Sequence, residues 1–256
     1  MGDKHLLYKV EDQIAIFTIN REKQRNSISV EAIDLFMEYL NRAEQDDDVR
    51  VVCITGVGDR AFCSGADLGG AIAEGGQDAF KSYADLLKRL AGFAKPTVAK
   101  VNGYCLAGGM GFMLACDVVI AGSNAKFGTP EVNVGLFPMI VGSLIFRNVL
   151  RKKAMEMVLL GEKLTADKAV EMGLITRSVA PEDLDAQVDT VLQVLASKSP
   201  VGLKIGKQAF YAADAMPFEE AVDFLSGKLG EVIATEDAKE GIMAFIEKRK
   251  PVFTGR

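Results

Sequence analysis

Histidine is almost missing from this sequence: among 256 residues there is His5 and no other. A Ser-His-Asp triad, a Cys-His pair or an HExxH zinc site would each have to use that one residue, which argues against all three chemistries. His5 lies in an N-terminal extension or first strand and reads as a surface residue. Cysteine is also sparse, and Cys53, Cys63, Cys105 and Cys116 form no CxxC pair. Their neighbours look like strand and core, so buried reduced thiols are expected rather than disulfides or zinc ligands, and no metal site is expected. There is no Asn-x-Ser/Thr sequon, no charged-then-apolar leader and no long uncharged apolar span; the run from Cys105 to Gly122 carries Asp117 and is short for a membrane helix. A cytoplasmic protein without membrane contact is expected. Positive charge is in deficit, with 30 Lys and Arg against 35 Asp and Glu, a net charge of -5 and a pI near 5.2. That balance argues against a general nucleic-acid or acidic-membrane binder, while leaving room for a local basic patch on a phosphorylated ligand. No repeat period or low-complexity segment is present.

What remains is a chain of globular composition, 49% hydrophobic and 25% charged, long enough for a substantial core. It is organised around the stretch from Val98 to Asp117, which reads as a strand, a tight turn at Asn102-Gly103 and a short apolar helix preceded by glycines. Glycines at a helix N-terminus remove Cβ atoms from the place where backbone N–H groups are unpaired and the helix dipole is positive. An oxyanion hole would use that property. Gly108, Gly109 and Gly111 could equally serve close packing of a helix on a sheet.

Leu6 to Val10 and Ile14 to Ile19 read as a hairpin, followed by a polar loop from Asn20 to Asn26 that carries Arg21, Lys23 and Arg25. The loop could neutralise ligand phosphates or be simply solvated. Ser29 is placed to cap a helix with Ile33, Phe36, Met37 and Leu40 on one face, and Val49 to Thr55 is a buried strand. Gly56 to Ala61 matches the loose form of a dinucleotide fingerprint, but no helix opens at its glycines, and Ser64 lacks the setting of a nucleophile elbow. Glycines 69, 70, 75 and 76 bracket a loop before a helix with Phe80, Ala84, Leu87 and Leu90 inward. Val118 to Ala121 is a further strand. Glu131 sits among apolar neighbours, where desolvation would raise its pKa and fit it for proton exchange, although a glutamate beside a proline in a first helical turn is favoured by the dipole anyway. Val141 to Leu160 reads as one helix stopped by Gly161, Thr165 caps a short helix ending at Gly173, Leu174 to Val179 is a last strand, and Pro181 to Ala196 is an amphipathic helix. After Lys198-Ser199-Pro200 only helices follow, with breaks near Asp214 to Pro217 and near Thr235. The class is α/β, with a core over residues 1–197 and a helical region over residues 198–256.

Several separated motifs resemble the crotonase superfamily, the enoyl-CoA hydratase/isomerase family: Ile19-Asn20-Arg21, Ala61 to Leu68, Lys95-Pro96 with Val101 to Tyr104, Ala107-Gly108-Gly109, Cys116-Asp117, Phe127 to Glu131, and Ala244 to Pro251. They come in family order along essentially the whole chain. The resemblance implies a spiral of ββα units with a C-terminal helical trimerisation region, assembled as a trimer or as a hexamer of paired trimers. It implies a coenzyme A thioester as substrate and no tightly bound cofactor. The backbone N–H groups of Ala66 and Gly108 match the pair that holds the thioester oxygen, and Glu131 matches a family acid/base. Lys23 and Arg25 match the nucleotide end of the coenzyme, Ser64, Asp67, Leu68 and Tyr104 are carried over as ligand-binding positions, and Phe245 and Lys248 match positions that reach the ligand from a neighbouring subunit. Glu22 stands where the family often has proline.

The chain departs from the pattern at Gly111, where hydratases of the family carry a second glutamate, three residues after the oxyanion glycine and on the same helical face. Single-base proton transfer by Glu131 needs no second carboxylate, so it is the first reading. Hydration with another acid, Glu74 or Asp78, is the second. A non-catalytic acyl-CoA binding protein is the third. Some members of the family bind RNA, which the acidic charge argues against here.

Overall fold

In the computed structural model, residues 4–66 and 77–256 are described. The hairpin forms as expected from β1 (Leu6–Glu11) and β2 (Ile14–Ile19), paired antiparallel in register from Leu6 with Ile19 to Glu11 with Ile14. Ser29 caps α1 (Val30–Gln45), its hydroxyl accepting the Ala32 N–H at 3.2 Å. The centre of the chain then repeats one theme. Strand β3 (Val51–Gly56) is followed by the short β4 (Ala61–Cys63), and later by α2 (Gln77–Ala91). Strand β5 (Thr97–Val101) leads to β6 (Tyr104–Leu106) and α3 (Gly108–Leu114). Strand β7 (Val118–Gly122) leads to β8 (Lys126–Gly128) and a 3-10 turn (Pro130–Val134).

The long strands enter a six-stranded sheet in the order β1-β2-β3-β5-β7-β10, where β10 is Arg177–Val179. The short strands enter a four-stranded sheet in the order β4-β6-β8-β9, where β9 is Leu164–Thr165. All pairings are parallel except β1 with β2 and β8 with β9. Because each long strand hands over to a short one, the chain winds as a spiral of ββα units, as the resemblance implied.

Burial on both faces explains why β3 is a continuous apolar run rather than an alternating one. Val52 and Ile54 face the main core, and Val51 and Cys53 face Leu184, Val188, Leu192 and Ala196 of α7 (Leu184–Ala196). In the main core Phe36 of α1 stacks on Phe112 of α3, centroids 5.0 Å apart, and Phe112 meets the edge of Tyr83 from α2 at 5.5 Å. Phe17 of β2 meets the edge of Phe36 at 6.1 Å, so a row of rings links the first hairpin to all three helices. The four thiols are free, three of them buried and Cys116 half-buried.

Several local expectations are revised. Residues 141–160 form two helices, α4 (Met139–Asn148) and α5 (Arg151–Leu160), because Val149 is extended at φ -122° and ψ 140°. Gly161 does end α5, in the left-handed conformation at φ 63°. Phe80 is 47% exposed, since the first turn of α2 precedes the turns that meet the core through Leu86, Leu87 and Leu90. The glycines 108, 109 and 111 lie inside α3 rather than ahead of it. The second sheet escapes a reading by alternation, because three-residue strands are too short to show a period. The last strand starts at Arg177, and Leu174 and Ile175 are core residues instead. His5 is half-buried, its Nδ1 2.7 Å from the Ser29 hydroxyl and 3.3 Å from Glu31. The short α6 (Ala166–Glu171) is capped by Thr165, and the chain closes with α8 (Pro200–Ala213), α9 (Phe218–Ala234) and α10 (Glu236–Ile246). No helix among the described residues is long and apolar enough to cross a membrane.

The fully buried Phe112 joins α1, α2 and α3, so its truncation removes the contact that holds three helices in register. Phe112→Ala is expected to lower stability by about 3 to 5 kcal/mol, read as a shifted midpoint with an unchanged slope in urea unfolding.

Candidate active site

The site is assembled at one edge of the small sheet. Parallel pairing of Cys63 with Cys105, and of Leu106 with Gly128, makes β4, β6 and β8 end on the same side. The segments that leave those ends are Ser64 to Ala66, Ala107 to Gly109 and Thr129 to Glu131. Ligands of open α/β sheets sit at this kind of edge, outside the carboxyl ends of parallel strands.

Ala107 prolongs the pairing by donating its N–H to Gly128 O at 2.9 Å. It does so at φ 49° and ψ -127°, a conformation that glycine usually occupies and that costs an alanine about 1 to 3 kcal/mol. The strained turn aims the first N–H groups of α3 at the end of β4. A Cβ added to Gly108 would stand 3.4 Å from the Ala66 nitrogen, and one added to Gly65 would stand 3.4 Å from the Gly108 nitrogen. The Ala66 and Gly108 N–H groups are therefore neighbours. Neither donates to any turn, cap or loop acceptor among the described residues.

The two readings of the glycines turn out to apply to different residues. Gly109 is a packing glycine, because a Cβ there would run into the Cys63 carbonyl oxygen. Gly108 meets nothing closer than ordinary contact, so packing alone does not demand glycine at that position.

Glu131 lies in the first turn of the 3-10 segment behind Pro130. Its Oε2 is buried without a hydrogen-bond partner, as is Oγ1 of Thr129 two residues earlier. Burial raises the Glu131 carboxyl above its ordinary range, opposed by a smaller contribution from its own backbone N–H. A half-buried carboxyl with an unpaired oxygen and a raised proton affinity can exchange a proton with a bound molecule. The structure adds Tyr83, which did not stand out in the sequence: its hydroxyl donates to Gly108 O at 2.5 Å. Its spacing of four and seven residues from Leu87 and Leu90 was the available signal.

The profile of the enoyl-CoA hydratase/isomerase family matches residues 9–256. The chain belongs to that family. It is 32% identical to a short-chain-enoyl-CoA hydratase of Clostridium acetobutylicum, with 96% of each chain covered. It is 36% identical to a 2,3-dehydroadipyl-CoA hydratase of Escherichia coli, covering 98% of this chain and 99% of that one. Its fold superposes on a crystal structure of an enoyl-CoA hydratase from Bacillus anthracis with a TM-score of 0.94 at 27% identity, over 98% and 100% of the two chains. This hydratase/isomerase is accordingly an enzyme that acts on acyl-CoA thioesters.

The other ligand positions of the hydratase/isomerase pattern divide into those drawn to the strand ends and those far along the chain. The loop with Lys23 and Arg25 is pinned beside Ala66: Ser64 N–H donates to Arg25 O at 3.2 Å, Ile28 N–H donates to Gly65 O at 2.8 Å, and the Ser64 hydroxyl reaches Gln24 O at 3.5 Å. Both basic side chains are exposed. Asn26, overlooked as a single residue in a polar loop, holds this arrangement; it is buried and its amide donates to Ala61 O at 2.6 Å and Val57 O at 3.0 Å. Tyr104 is 43% exposed, with Lys163 Nζ 5.4 Å from its ring centre. Asp67 and Leu68 lie outside the described residues, as does Glu74. Asp78 is exposed in the first turn of α2. Phe245, 86% exposed, stands at the end of α10 in a groove formed with Ser199, Val232 and Phe253 rather than with the strand ends, and Lys248 follows that helix, exposed. Among the described residues no three metal-ligating side chains gather.

The raised Glu131 carboxyl has a consequence for stability. A carboxyl raised by folding favours the folded state fully below its ordinary value near 4.5 and loses that contribution as pH rises through the raised value. Glu131→Gln is expected to match the parent in urea midpoint at pH 4 and to exceed it at pH 8.

Proposed function

We propose that this enzyme moves a proton within an unsaturated acyl-CoA thioester through an enolate, with Glu131 as the single base and the Ala66 and Gly108 N–H groups as the oxyanion hole. The buried, unpartnered Oε2 of Glu131 at the end of β8 carries this reading. Glu131 as carboxylate removes a proton from the α carbon of a non-conjugated enoyl thioester, and the electron pair moves through the carbonyl onto the thioester oxygen. That oxygen accepts hydrogen bonds from the two N–H groups, each worth about 3 kcal/mol in the transition state. The same carboxyl, now protonated, returns its proton to the γ carbon while the double bond shifts into conjugation. No atom is gained or lost, and the raised proton affinity of Glu131 suits a group that must both take and give.

Lys23 and Arg25 face the nucleotide phosphates in this reading, with Ser64, Asp67, Leu68 and Tyr104 along the pantetheine and acyl portions. The exposed apolar side chains of α8, α9 and α10, Phe210, Phe218, Leu229 and Phe245 among them, support a trimer or a pair of trimers in which Phe245 and Lys248 complete a neighbour's site. We keep the division at residues 197 and 198, the absence of a tight cofactor and a cytoplasmic location as parts of the same proposal.

Hydration is a second reading, and the names of the relatives favour it: all three proteins described above are hydratases. It requires a group to hold water opposite Glu131, and Asp78 is exposed.

Two variants test the first reading. Glu131→Gln is expected to abolish exchange of substrate α and γ protons with deuterated solvent, measured by mass spectrometry, while the dissociation constant for the acyl-CoA stays within about twofold because ground-state contacts persist. Gly108→Pro removes one oxyanion donor and is expected to lower kcat by about 100-fold or more in protein whose circular dichroism shows it folded. Exchange that survives Glu131→Gln rejects the base.

A further inference from the structure

We infer that Tyr83 decides which reaction this site performs: its hydroxyl occupies the space over Gly111 and clamps the Gly108 peptide, so that no side chain at position 111 can hold water for Glu131. The inference rests on the reading of Glu131 and the oxyanion pair given above, and it deepens that reading by naming the residue that sets selectivity.

The geometry begins at Gly111. A Cβ built there would overlap the Tyr83 hydroxyl, and would come to 2.8 Å from Leu87 Cδ1 and 3.2 Å from Tyr83 Cζ. The absence of a side chain at position 111 is therefore matched by the presence of one at position 83. The ring is held from the side by Phe112, edge to face at 5.5 Å and 77°, and Phe112 is in turn stacked on Phe36. Tyr83, half-buried against the core, cannot swing aside without disturbing it, and a ring moved off its rotamer costs about 1 kcal/mol before any contact is lost.

The hydroxyl is also committed. Its one proton goes to Gly108 O at 2.5 Å, which leaves it able to accept hydrogen bonds but with no further proton to donate. Burial holds the phenol well above its ordinary range, and the nearby Cys63, Cys105 and Glu131 groups push in the same direction. The thiols are raised as well, Cys63 to about 12 by burial. Among the described residues, the two thiols near Tyr83 therefore stay protonated near pH 7, and neither takes a proton from water. Tyr83 is a positioning residue. It fixes the peptide that follows the Gly108 donor and closes the volume from which a second carboxylate would deliver water.

The test uses the full-length protein and crotonyl-CoA in deuterated water, with proton exchange followed by mass spectrometry and hydration by loss of the conjugated-enoyl absorbance. The parent is expected to exchange faster than it hydrates. Tyr83→Phe keeps the ring and removes the bond to Gly108; kcat for exchange is expected to fall about tenfold with KM unchanged. The double variant Tyr83→Ala/Gly111→Glu opens the space and fills it with a carboxylate, and the ratio of hydration to exchange is expected to rise at least about tenfold, a change of about 1.4 kcal/mol between the two barriers. An unchanged ratio in a folded double variant overturns the inference, as does a parent that hydrates faster than it exchanges. Should the double variant fail to fold, Tyr83→Phe decides: parental kcat and KM reject the inference, and a fall in kcat alone supports it. Glu131→Gln run alongside separates the two levels. If it keeps exchange, the underlying single-base reading fails and Tyr83 with it; if it abolishes exchange while the Tyr83 variants behave as the parent, only Tyr83 is rejected.

Discussion

Parallel pairing of three very short strands is the constraint on which the rest of this molecule depends. Antiparallel neighbours would send consecutive chain segments to opposite ends of the sheet, whereas β4, β6 and β8 all run the same way and release Ala66, Gly108 and Glu131 at one edge. Three-residue strands cannot hold this arrangement by their own few hydrogen bonds. The long parallel strands beside them supply the rigidity, since each short strand continues directly from a long one buried on both faces. The same geometry explains the strain at Ala107: the chain must turn from β6 into α3 within one residue, because Gly109 is already pressed against the Cys63 carbonyl.

Around that edge the polar groups fall into two populations. Asn26 and Asn102 donate to carbonyls of the β3–β4 connection, Asn26 to Val57 and Ala61 and Asn102 to Gly56 and Gly58, and so tie loops to strands. Glu131 Oε2 and Thr129 Oγ1 are buried without such partners, as is the Oδ1 of Asn102 on the other side of its donating amide. Leaving a buried polar group unpaired costs about 1 to 3 kcal/mol, which a fold tolerates where a bound molecule repays it. Tyr83 lies between the two populations. Its hydroxyl is satisfied by Gly108, and it lies near enough to Glu131 for that carboxyl to push the phenol up.

The helices after residue 199 are joined to this core by specific polar contacts rather than by a shared apolar interior. Asp237 is buried at the start of α10 and accepts from the Ser199 hydroxyl at 2.8 Å and from the Thr254 N–H at 2.8 Å, which fastens the C-terminal tail to the cap of α8. Arg50 bridges the same tail to the core, donating to Ala196 O and Phe253 O. Lys207 of α8 pairs with Asp117 at 2.6 Å, and Asp117 in turn accepts from Thr97 at the start of β5. Such contacts orient the helices while leaving their large apolar side chains, Phe210, Phe218 and Phe245, facing outward.

From the sequence alone, the hairpin, the capped α1, the buried β3 and the closing helices were legible, because each is a local matter of period, cap or breaker. The chemistry-bearing types were legible too: one histidine ruled out several mechanisms, and Glu131 showed itself as a carboxyl among apolar neighbours. The order of the motifs added the family. What local pattern did not contain was the second sheet, whose strands are shorter than any period, and the break at Val149. Nor could it say which glycine packs and which stays open, since Gly108 and Gly109 differ only in what lies across from them. The role of Tyr83 depends on the meeting of a residue in α2 with an empty position in α3, 28 residues later in the chain. Contact between distant segments is set by how strands and helices stack, and only the tertiary structure decided it.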